Sequence, residues 1–246
     1  MNEPAPSPGL RYLGEAQRLV ERLATDEWPN IRAGATLLAD ALEHGRTIHA
    51  FGTGHSHMLA EELFYRAGGL VRVKPILFDG LMLHGNAQLS TSLERVPQLA
   101  HALLDAHPMT AGDVLIVASN SGGNAVVSTF ARLALARDVQ VIAIVSLAHA
   151  TSADARWTDV PRLHEVANVT IDNGGCVGDA AIEIDGFVTK VSPTSTVVGA
   201  AILNAMVAEA VRSLVERGIV PEVYTSANLE GGDTANAPFM PEDGRR

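Results

Sequence analysis

Apolar residues recur at spacings of three and four in two stretches near the amino terminus, Leu10–Ala24 and Trp28–Glu43. This spacing is typical of amphipathic helices. Pro29 fits the first turn of the second helix, and Gly45 follows its end. The sequence therefore predicts a pair of helices at the amino terminus.

Short apolar runs then alternate with helical patterns along the middle of the chain. Such alternation predicts an α/β fold with helices on both faces of a parallel sheet, a three-layer αβα sandwich. With five strands we expect the flavodoxin-like order 2-1-3-4-5, in which the first and third strands are neighbours. The predicted strands are Thr47–Phe51, Val71–Phe78, Val114–Ala118, Val139–Val145 and Val169–Asp172, and the predicted helices among them are His57–Ala67, Ser90–Ala106 and Asn124–Arg137.

The last third of the chain departs from this alternation. Ala181–Ile184 and Phe187–Val191 flank Asp185-Gly186, a dipeptide typical of tight turns, and together they predict a short hairpin. The longest apolar stretch, Val197–Val215, follows a capping run and predicts a long helix. A helix that is apolar on most faces must be buried, in the core, in a subunit interface or in both.

Composition narrows the class of protein. A chain of 246 residues, 47% of them hydrophobic, can bury one substantial core. We expect a disordered amino terminus (1–9), a single domain (10–230) and a flexible carboxyl-terminal tail (231–246). The formal net charge of −10, without a basic cluster, argues against nucleic acid as a partner.

Cysteine usage and the apolar runs bear on location. Cys176 is the only cysteine, so an intrachain disulfide is impossible and a cysteine-based zinc site is not expected. The sequence shows no signal-like apolar core near Met1 and no run of membrane-spanning length. We therefore expect a cytoplasmic protein with no membrane partner.

Two of the predicted strands end in turns rich in glycine and serine, each followed by a helix. Gly52-Thr53-Gly54-His55-Ser56 follows the first strand, and Ser119-Asn120-Ser121-Gly122-Gly123-Asn124 follows the third. In such turns glycines let the backbone approach a ligand, while hydroxyls and free helical N–H groups bind an anion. Adjacent parallel strands would bring both turns to one edge of the sheet, which favours a phosphate site over ordinary capping turns.

These turns, with Pro193-Thr194-Ser195-Thr196 ahead of the long helix, resemble the SIS (sugar isomerase) phosphosugar-binding domain family from Leu10 to Arg217. Further strings, such as Gly52–Leu70 and Val223–Leu229, resemble a stand-alone, phosphoheptose-isomerase-like subfamily of bacterial proteins. Its actinobacterial members include an N-acetylglucosamine-6-phosphate dehydratase. The resemblance implies the SIS fold, a sugar-phosphate substrate, no cofactor, and a homodimer or homotetramer with the site near the subunit interface.

The resemblance also implies which residues hold the ligand. Ser119, Ser121 and Asn124 are expected to bind the phosphate, with Ser56 touching the sugar or the phosphate from the first turn. The remaining residues expected to bind the substrate or its phosphate are Gly54, His55, Asn120, Gly122, Thr194 and Ser195.

Family isomerases carry a glutamate on the helix after the first turn, where this chain has Glu61 and Glu62. Removing the carbon 2 proton of an opened sugar phosphate needs a base near pH 7, and eliminating the carbon 3 hydroxyl needs an acid. We expect Glu62 as the base, Glu61 as a further catalytic candidate, and His84 as the acid or proton shuttle. A salt bridge from Glu62 to Arg66 and a surface position for His84 are the structural alternatives.

Other polar residues near these turns carry weaker expectations. His55 and His57 flank Ser56, but so short a spacing supplies two ligands at most, so we expect no metal. Glu94 and Arg95 are secondary candidates, and Asn173 and Asp179 are expected to serve as turn or capping residues.

Three functions remain open for this site: a dehydratase (lyase) acting on N-acetylglucosamine 6-phosphate, an aldose–ketose isomerase of a sugar phosphate, and a non-catalytic sugar-phosphate sensor. The dehydratase is the main expectation.

Overall fold

The computed structural model describes residues 6–153 and 159–240. Its helices are α1 (Pro8–Thr25), α2 (Trp28–Glu43), α3 (His57–Leu63), α4 (Ala87–Leu93), α5 (Leu99–Ala106), α6 (Ala125–Leu135), α7 (Leu147–Ala150), α8 (Leu163–Val166), α9 (Ser195–Glu216) and α10 (Gly232–Asn236). Short 3-10 turns span Gly54–Ser56, Asp79–Leu81 and Ala237–Phe239. The strands are β1 (Ile48–Gly52), β2 (Val73–Ile76), β3 (Val114–Ala118), β4 (Gln140–Val145), β5 (Val169–Asp172), β6 (Ala180–Ile184) and β7 (Phe187–Pro193).

Five of these strands form one parallel sheet in the order β2-β1-β3-β4-β5. This confirms the predicted α/β fold class and strand order. β1 pairs with β3 along its whole length, from Ile48 opposite Val114 to Gly52 opposite Ala118. Every residue of β1 and β3 is buried, as expected for central strands of a sheet with helices on both faces.

The hydrophobic core has two halves, one on each face of the sheet. On one face, residues such as Leu38, Leu59 and Ile202 pack α2, α3 and α9 against the sheet. On the other face, Phe51 and Phe130 pack with ring centroids 4.8 Å apart, among residues of α5 and α6. The three predicted layers are therefore present.

Helix α9 is the longest element of the core. It buries residues such as Val198, Leu203 and Met206, whereas Val197 and Val215 are exposed. Among the described residues it is the one helix long and apolar enough to cross a membrane by length and composition, and 44% of that window is buried inside the protein. A core helix satisfies the same test, so this helix is weak evidence for a membrane protein.

Three predicted elements are shorter or interrupted. The helix predicted to end at Ala67 ends at Leu63, because Phe64 is extended and Tyr65 has a φ of 44°. The helix predicted as Ser90–Ala106 is divided into α4 and α5, since Pro97 lacks the N–H that a continuous helix requires. The second strand is confined to its four central residues.

The carboxyl-terminal segment packs on the domain as far as the structure describes it. Residues 231–240, predicted as part of a flexible tail, form α10 and a 3-10 turn. The buried side chain of Asn236 accepts from the N–H of Thr225 at 2.9 Å and donates to its carbonyl at 2.8 Å. Residues 1–5 and 241–246 lie outside the described residues, and the domain boundaries stay a prediction.

A buried polar pair lies under the amino ends of the strands. His49 Nε2 is 3.4 Å from Asp113 Oδ2, and the backbone N–H groups of Thr47 and Thr110 donate to the same carboxylate. Burial lowers the pKa of His49 below its usual value, although the nearby carboxylate opposes the shift. Burial disfavours charge on Asp113 too, yet the two N–H groups and His49 hold its pKa below the usual value. The pair is therefore a neutral histidine beside a carboxylate.

This pair predicts a loss of stability in mild acid. An unfolded histidine has a pKa of about 6.5 and takes up a proton below it, whereas folded His49 resists protonation. The free energy of unfolding should therefore fall as the pH drops below about 6.5, by at most about 1.4 kcal/mol per pH unit for this residue. His107, whose pKa is also lowered by burial, contributes in the same direction.

Urea unfolding between pH 7.5 and 5.5 measures this slope. His49→Gln keeps a donor for Asp113 and should flatten the slope, whereas His101→Gln, at an exposed position, should leave it unchanged. Equal slopes for wild type and His49→Gln would contradict the assignment.

Candidate functional site

Both glycine- and serine-rich turns open at the carboxyl edge of the sheet, as predicted. Because Gly52 is paired with Ala118, the residues that follow β1 and β3 are neighbours. A narrow pocket lies between them and the start of α9. It is lined by Ser56, Leu59, Ala118, Ser119, Asn120, Ile144, Asn173, Ser195 and Thr196.

The first turn is a tight 3-10 turn that leads directly into α3. A Cβ at Gly52 would overlap the backbone carbonyl of Ser56, and Gly54 has a φ of 56°. His57 Nδ1 is hydrogen-bonded to the carbonyl of Gly54. A carbonyl can only accept, so Nδ1 carries the proton and neutral His57 has its lone pair on Nε2. Ser56 lines the pocket, while His55 is exposed.

The second turn is held by its own hydroxyl groups. The N–H of Gly122, which has a φ of 59°, donates to Ser119 Oγ at 3.2 Å, and the N–H of Gly123 donates to Ser121 Oγ at 3.5 Å. Arg162 Nη1 donates to the carbonyl of Ser121 at 3.4 Å. The turn thus has a guanidinium beside it, which suits an anion in a protein of net charge −10.

Glu94 lies between the two turns. Its Oε2 accepts from Asn124 Nδ2 at 2.8 Å, and its backbone carbonyl accepts from the N–H of Val126 at 3.1 Å. Its other oxygen, Oε1, would be 3.2 Å from a Cβ at Gly54. The amide of Asn124, predicted to bind phosphate, is therefore already hydrogen-bonded to a carboxylate at the start of α6.

Two asparagines form the wall of the pocket near β5. Asn173 Oδ1 accepts from the N–H of Gly175 at 2.8 Å, so its Nδ2 faces the other way and donates to Asn120 Oδ1 at 2.9 Å. The same loop is held by Ser146, whose Oγ donates to the carbonyl of Gly175 at 2.6 Å. These bonds orient Asn120 with its Nδ2 donor available to the pocket.

The start of α9 is capped by a carboxylate from the loop before the hairpin. Asp179 Oδ1 accepts from the N–H groups of Thr194 and Ser195 at 3.1 and 3.0 Å, and Oδ2 accepts from Ser195 Oγ at 2.6 Å. Ser195, predicted to bind the substrate or its phosphate, lines the pocket. Thr194 is 1% exposed and lies outside the pocket lining, and its Oγ1 has no hydrogen-bond partner among the described residues.

The structure does not bring the predicted base to this pocket. Glu62 forms an ion pair with Arg66, the structural alternative, and accepts from Asn204 Nδ2 at 2.8 Å. Asn204 lies nine residues along α9 from Ser195, about 13 Å at the helical rise. In this chain Glu62 therefore lies away from the two turns.

The other predicted catalytic residues lie around the first turn. Glu61 is exposed, with a carboxylate oxygen 3.8 Å from His57 Nε2. His84 is exposed, and its ring centroid is 6.3 Å from that of His57. Within residues 6–153 and 159–240, no three His, Cys, Asp or Glu side chains are grouped so as to hold a metal ion.

The sequence did not identify three residues of this site as ligand-binding residues. Asn173 and Asp179 were expected to serve as turn or capping residues, and Arg162 carried no expectation. Asp179 does cap a helix, but it also accepts from a pocket hydroxyl. The polar ends of strands in a parallel sheet are the one signal that points to Asn173, and no local pattern marks Arg162.

A comparison with family models matches the SIS domain to residues 11–146, more than half of the chain. A UPF0309 protein of Geobacillus thermodenitrificans is 42% identical over 227 residues, 91% of each chain. A UPF0309 protein of Listeria monocytogenes is 38% identical over 229 residues, 93% of each chain. The chain therefore belongs to the SIS domain family, which confirms the resemblance found in its turns.

Solved structures share this fold at low sequence identity. A phosphoheptose isomerase from Francisella tularensis superposes with a TM-score of 0.52 and 14% identity, covering 85% of this chain and all of the other. The NanR protein of Vibrio vulnificus, solved in complex with ManNAc-6P, gives a TM-score of 0.51 and 15% identity, covering 87% of this chain and 66% of the other.

The tight first turn yields a stability prediction. Gly52→Ala should lower the free energy of unfolding by about 2 kcal/mol, because the added methyl group forces the backbone of Ser56 to move. Gly14→Ala is the matched control, since Gly14 lies in α1 with open space around its Cα and alanine favours a helix. Chemical denaturation of the two variants measures the difference, and equal stabilities would contradict the proposed clash.

Proposed function

We propose that this protein binds a sugar phosphate at the two turns and catalyses its dehydration, with N-acetylglucosamine 6-phosphate as the substrate. The main support for this proposal is that the two turns converge. One pocket at the carboxyl edge of the sheet is lined by Ser56 of the first turn and by Ser119 and Asn120 of the second. Ligands of open α/β sheets bind at this edge.

The phosphate is proposed to bind against the second turn. Ser121 and Gly122 lie outside the narrow pocket, and Arg162, the residue just before α8, donates to the carbonyl of Ser121. A guanidinium with serine hydroxyls and backbone N–H groups is a suitable donor set for a phosphate ester. The complex of the Vibrio vulnificus neighbour with ManNAc-6P supports a sugar phosphate as the ligand.

The proposed reaction begins with removal of the carbon 2 proton from the open-chain aldehyde. The electron pair of that C–H bond forms the enolate of the carbon 1 aldehyde. The enolate then expels the carbon 3 hydroxyl as an acid protonates it, which leaves a double bond between carbons 2 and 3. One water leaves for each substrate consumed. Aldose–ketose isomerisation shares the first step, and the phosphoheptose isomerase neighbour keeps it as the second candidate.

Within this chain the geometry favours Glu94 over Glu62 as the base. Glu94 lies between the turns, against Gly54 and Asn124, whereas Glu62 contacts Asn204 of α9, away from the turns. A carboxylate beside the bound sugar is positioned for proton transfer at carbon 2. His84 keeps its proposed role as the acid, and the ring of His57 lies nearby, with a centroid separation of 6.3 Å.

The location, cofactor use, partners and oligomeric state that we propose are those expected from the sequence. We propose a cytoplasmic enzyme that uses no cofactor or metal, does not bind nucleic acid, and forms a homodimer or homotetramer. If the subunit interface lies near the site, Glu61 and Glu62 of one subunit would contribute to the site of the neighbouring subunit.

Product mass tests the reaction directly. Purified protein incubated with N-acetylglucosamine 6-phosphate should give a product lighter by one water, because elimination is the second step. An isomeric product of unchanged mass would identify an isomerase instead. Binding without any turnover would favour a sensor and contradict the enzymatic proposal.

A pair of isosteric variants tests the base. Glu94→Gln should lower kcat by at least about 10²-fold because general-base catalysis is lost, while Glu62→Gln should lower it much less. The Gln side chain still accepts from Asn124, so the fold of the turn is retained. A larger loss of kcat in Glu62→Gln than in Glu94→Gln would identify Glu62 as the base and contradict the assignment of Glu94.

The phosphate end has its own test. Arg162→Ala should weaken binding of inorganic phosphate and of the sugar phosphate by about tenfold, since one charge-assisted contact is lost. Arg132→Ala, at an exposed position on α6, should bind as wild type does. Titration calorimetry measures both, and unchanged affinity of Arg162→Ala would exclude Arg162 from the site.

A further inference from the structure

The narrow pocket between the turns and α9 is too small for a sugar ring. Its enclosed part has a volume of about 10 Å³, which holds one group the size of a water molecule or a methyl group. A sugar phosphate bound at the edge of the sheet would therefore lie over its mouth. The pocket itself is a place for one substituent of the sugar.

Three of the nine residues that line the pocket are apolar and belong to the core, and we call these three the floor. They are Leu59, Ala118 and Ile144, and all three are almost fully buried members of the core on one face of the sheet. A charged group there would lose its hydration without a compensating partner. A methyl group would gain contacts with all three side chains.

The other six lining residues are polar: Ser56, Ser119, Asn120, Asn173, Ser195 and Thr196. In two of them, Ser195 and Asn120, a hydrogen bond to a neighbour fixes which atom can serve a ligand. Ser195 Oγ donates its only proton to Asp179 at 2.6 Å, so towards the pocket it offers lone pairs alone. Asn120 is turned so that its Oδ1 accepts from Asn173, which leaves its Nδ2 as the donor for a ligand. The Asp179 carboxylate beside Ser195 also disfavours an anion at this end.

We infer that this pocket recognises the acetamido group of an N-acetylated aminosugar phosphate. Its N–H donates to Ser195 Oγ, its carbonyl accepts from Asn120 Nδ2, and its methyl group enters the floor formed by Leu59, Ala118 and Ile144. Asp179 is a positioning residue, because it acts on the ligand by orienting the Ser195 hydroxyl. The inference rests on the proposed binding of a sugar phosphate. It adds the group by which the site distinguishes one sugar phosphate from another.

Asp179→Asn is the informative variant. Its Oδ1 can still accept from the N–H groups of Thr194 and Ser195, which keeps α9 capped. Its Nδ2 then donates to Ser195 Oγ, so the hydroxyl must send its proton elsewhere and no longer acts only as an acceptor towards the pocket. The variant changes hydrogen-bond direction while preserving geometry.

Calorimetric titration with N-acetylglucosamine 6-phosphate, glucose 6-phosphate and inorganic phosphate tests the inference. Wild type should prefer the acetylated sugar by at least about tenfold, in line with the discrimination achieved by sites that hydrogen-bond a substrate group. Asp179→Asn and Ser195→Ala should each reduce that ratio towards one while keeping affinity for glucose 6-phosphate. Asp185→Asn, at the turn of the same hairpin, is the matched control and should keep the ratio.

A steric variant separates recognition from folding effects. Ala118→Val fills the floor, so it should lose affinity for the acetylated sugar while glucose 6-phosphate and inorganic phosphate still bind. A wild-type ratio near one, with N-acetylglucosamine 6-phosphate still dehydrated, would overturn the inference and leave the proposed function intact. Failure of every sugar phosphate to bind wild type would overturn both.

Discussion

The pairing of β1 with β3 is the constraint on which the site depends. In the strand order β2-β1-β3-β4-β5, β2 lies on the side of β1 that faces away from β3. The strands β1 and β3 are therefore neighbours, although more than sixty residues separate them in the chain. Their register sets Gly52 opposite Ala118, and each strand then ends in a turn rich in glycine and serine. A shift of either strand would separate the turns, because this register is what sets the ends of the two strands opposite each other.

A second constraint follows from the charge of the chain. With a net charge of −10, the protein has no long-range attraction for an anion, so any phosphate must be held by local groups. The structure places a guanidinium, Arg162, at the second turn, but it also places the carboxylates of Glu94 and Asp179 near the site. We therefore expect binding to depend on where each charge lies, since one guanidinium and two carboxylates all contact residues of the turns or of the pocket lining.

Sequence patterns predicted the parts of the fold that local chemistry determines. The strands, their order and the hairpin follow from apolar runs and turn dipeptides, and the two turns follow from their glycines and hydroxyls. The failures also have local causes: Pro97 divides a helix whose apolar pattern continues through it, and Tyr65 adopts a left-handed φ. A tyrosine seldom takes that conformation, and no rule of composition anticipates it.

The site was harder to predict because its partners are distant in the chain. Asn124 bonds to a glutamate 30 residues away, Ser195 to an aspartate 16 residues away, and the second turn to an arginine 41 residues away. Serine and asparagine each offer a choice of donating or accepting. Which choice a side chain makes depends on the partner that the fold brings to it, and periodicity carries no information about that partner.

The positions of the charges give a bound sugar phosphate a direction. Two like unit charges 4 Å apart repel by about 4 kcal/mol at the effective dielectric constant near a protein surface, so the proposed complex has its phosphate away from the Glu94 carboxylate. The guanidinium of Arg162 carries a positive charge and would attract the phosphate. In the proposed complex, a ligand with its ester at Arg162 extends its carbonyl end towards Glu94 and His57, where proton transfer is proposed. The carboxylate that repels a misplaced phosphate is then the group that meets the reactive end of a correctly placed sugar.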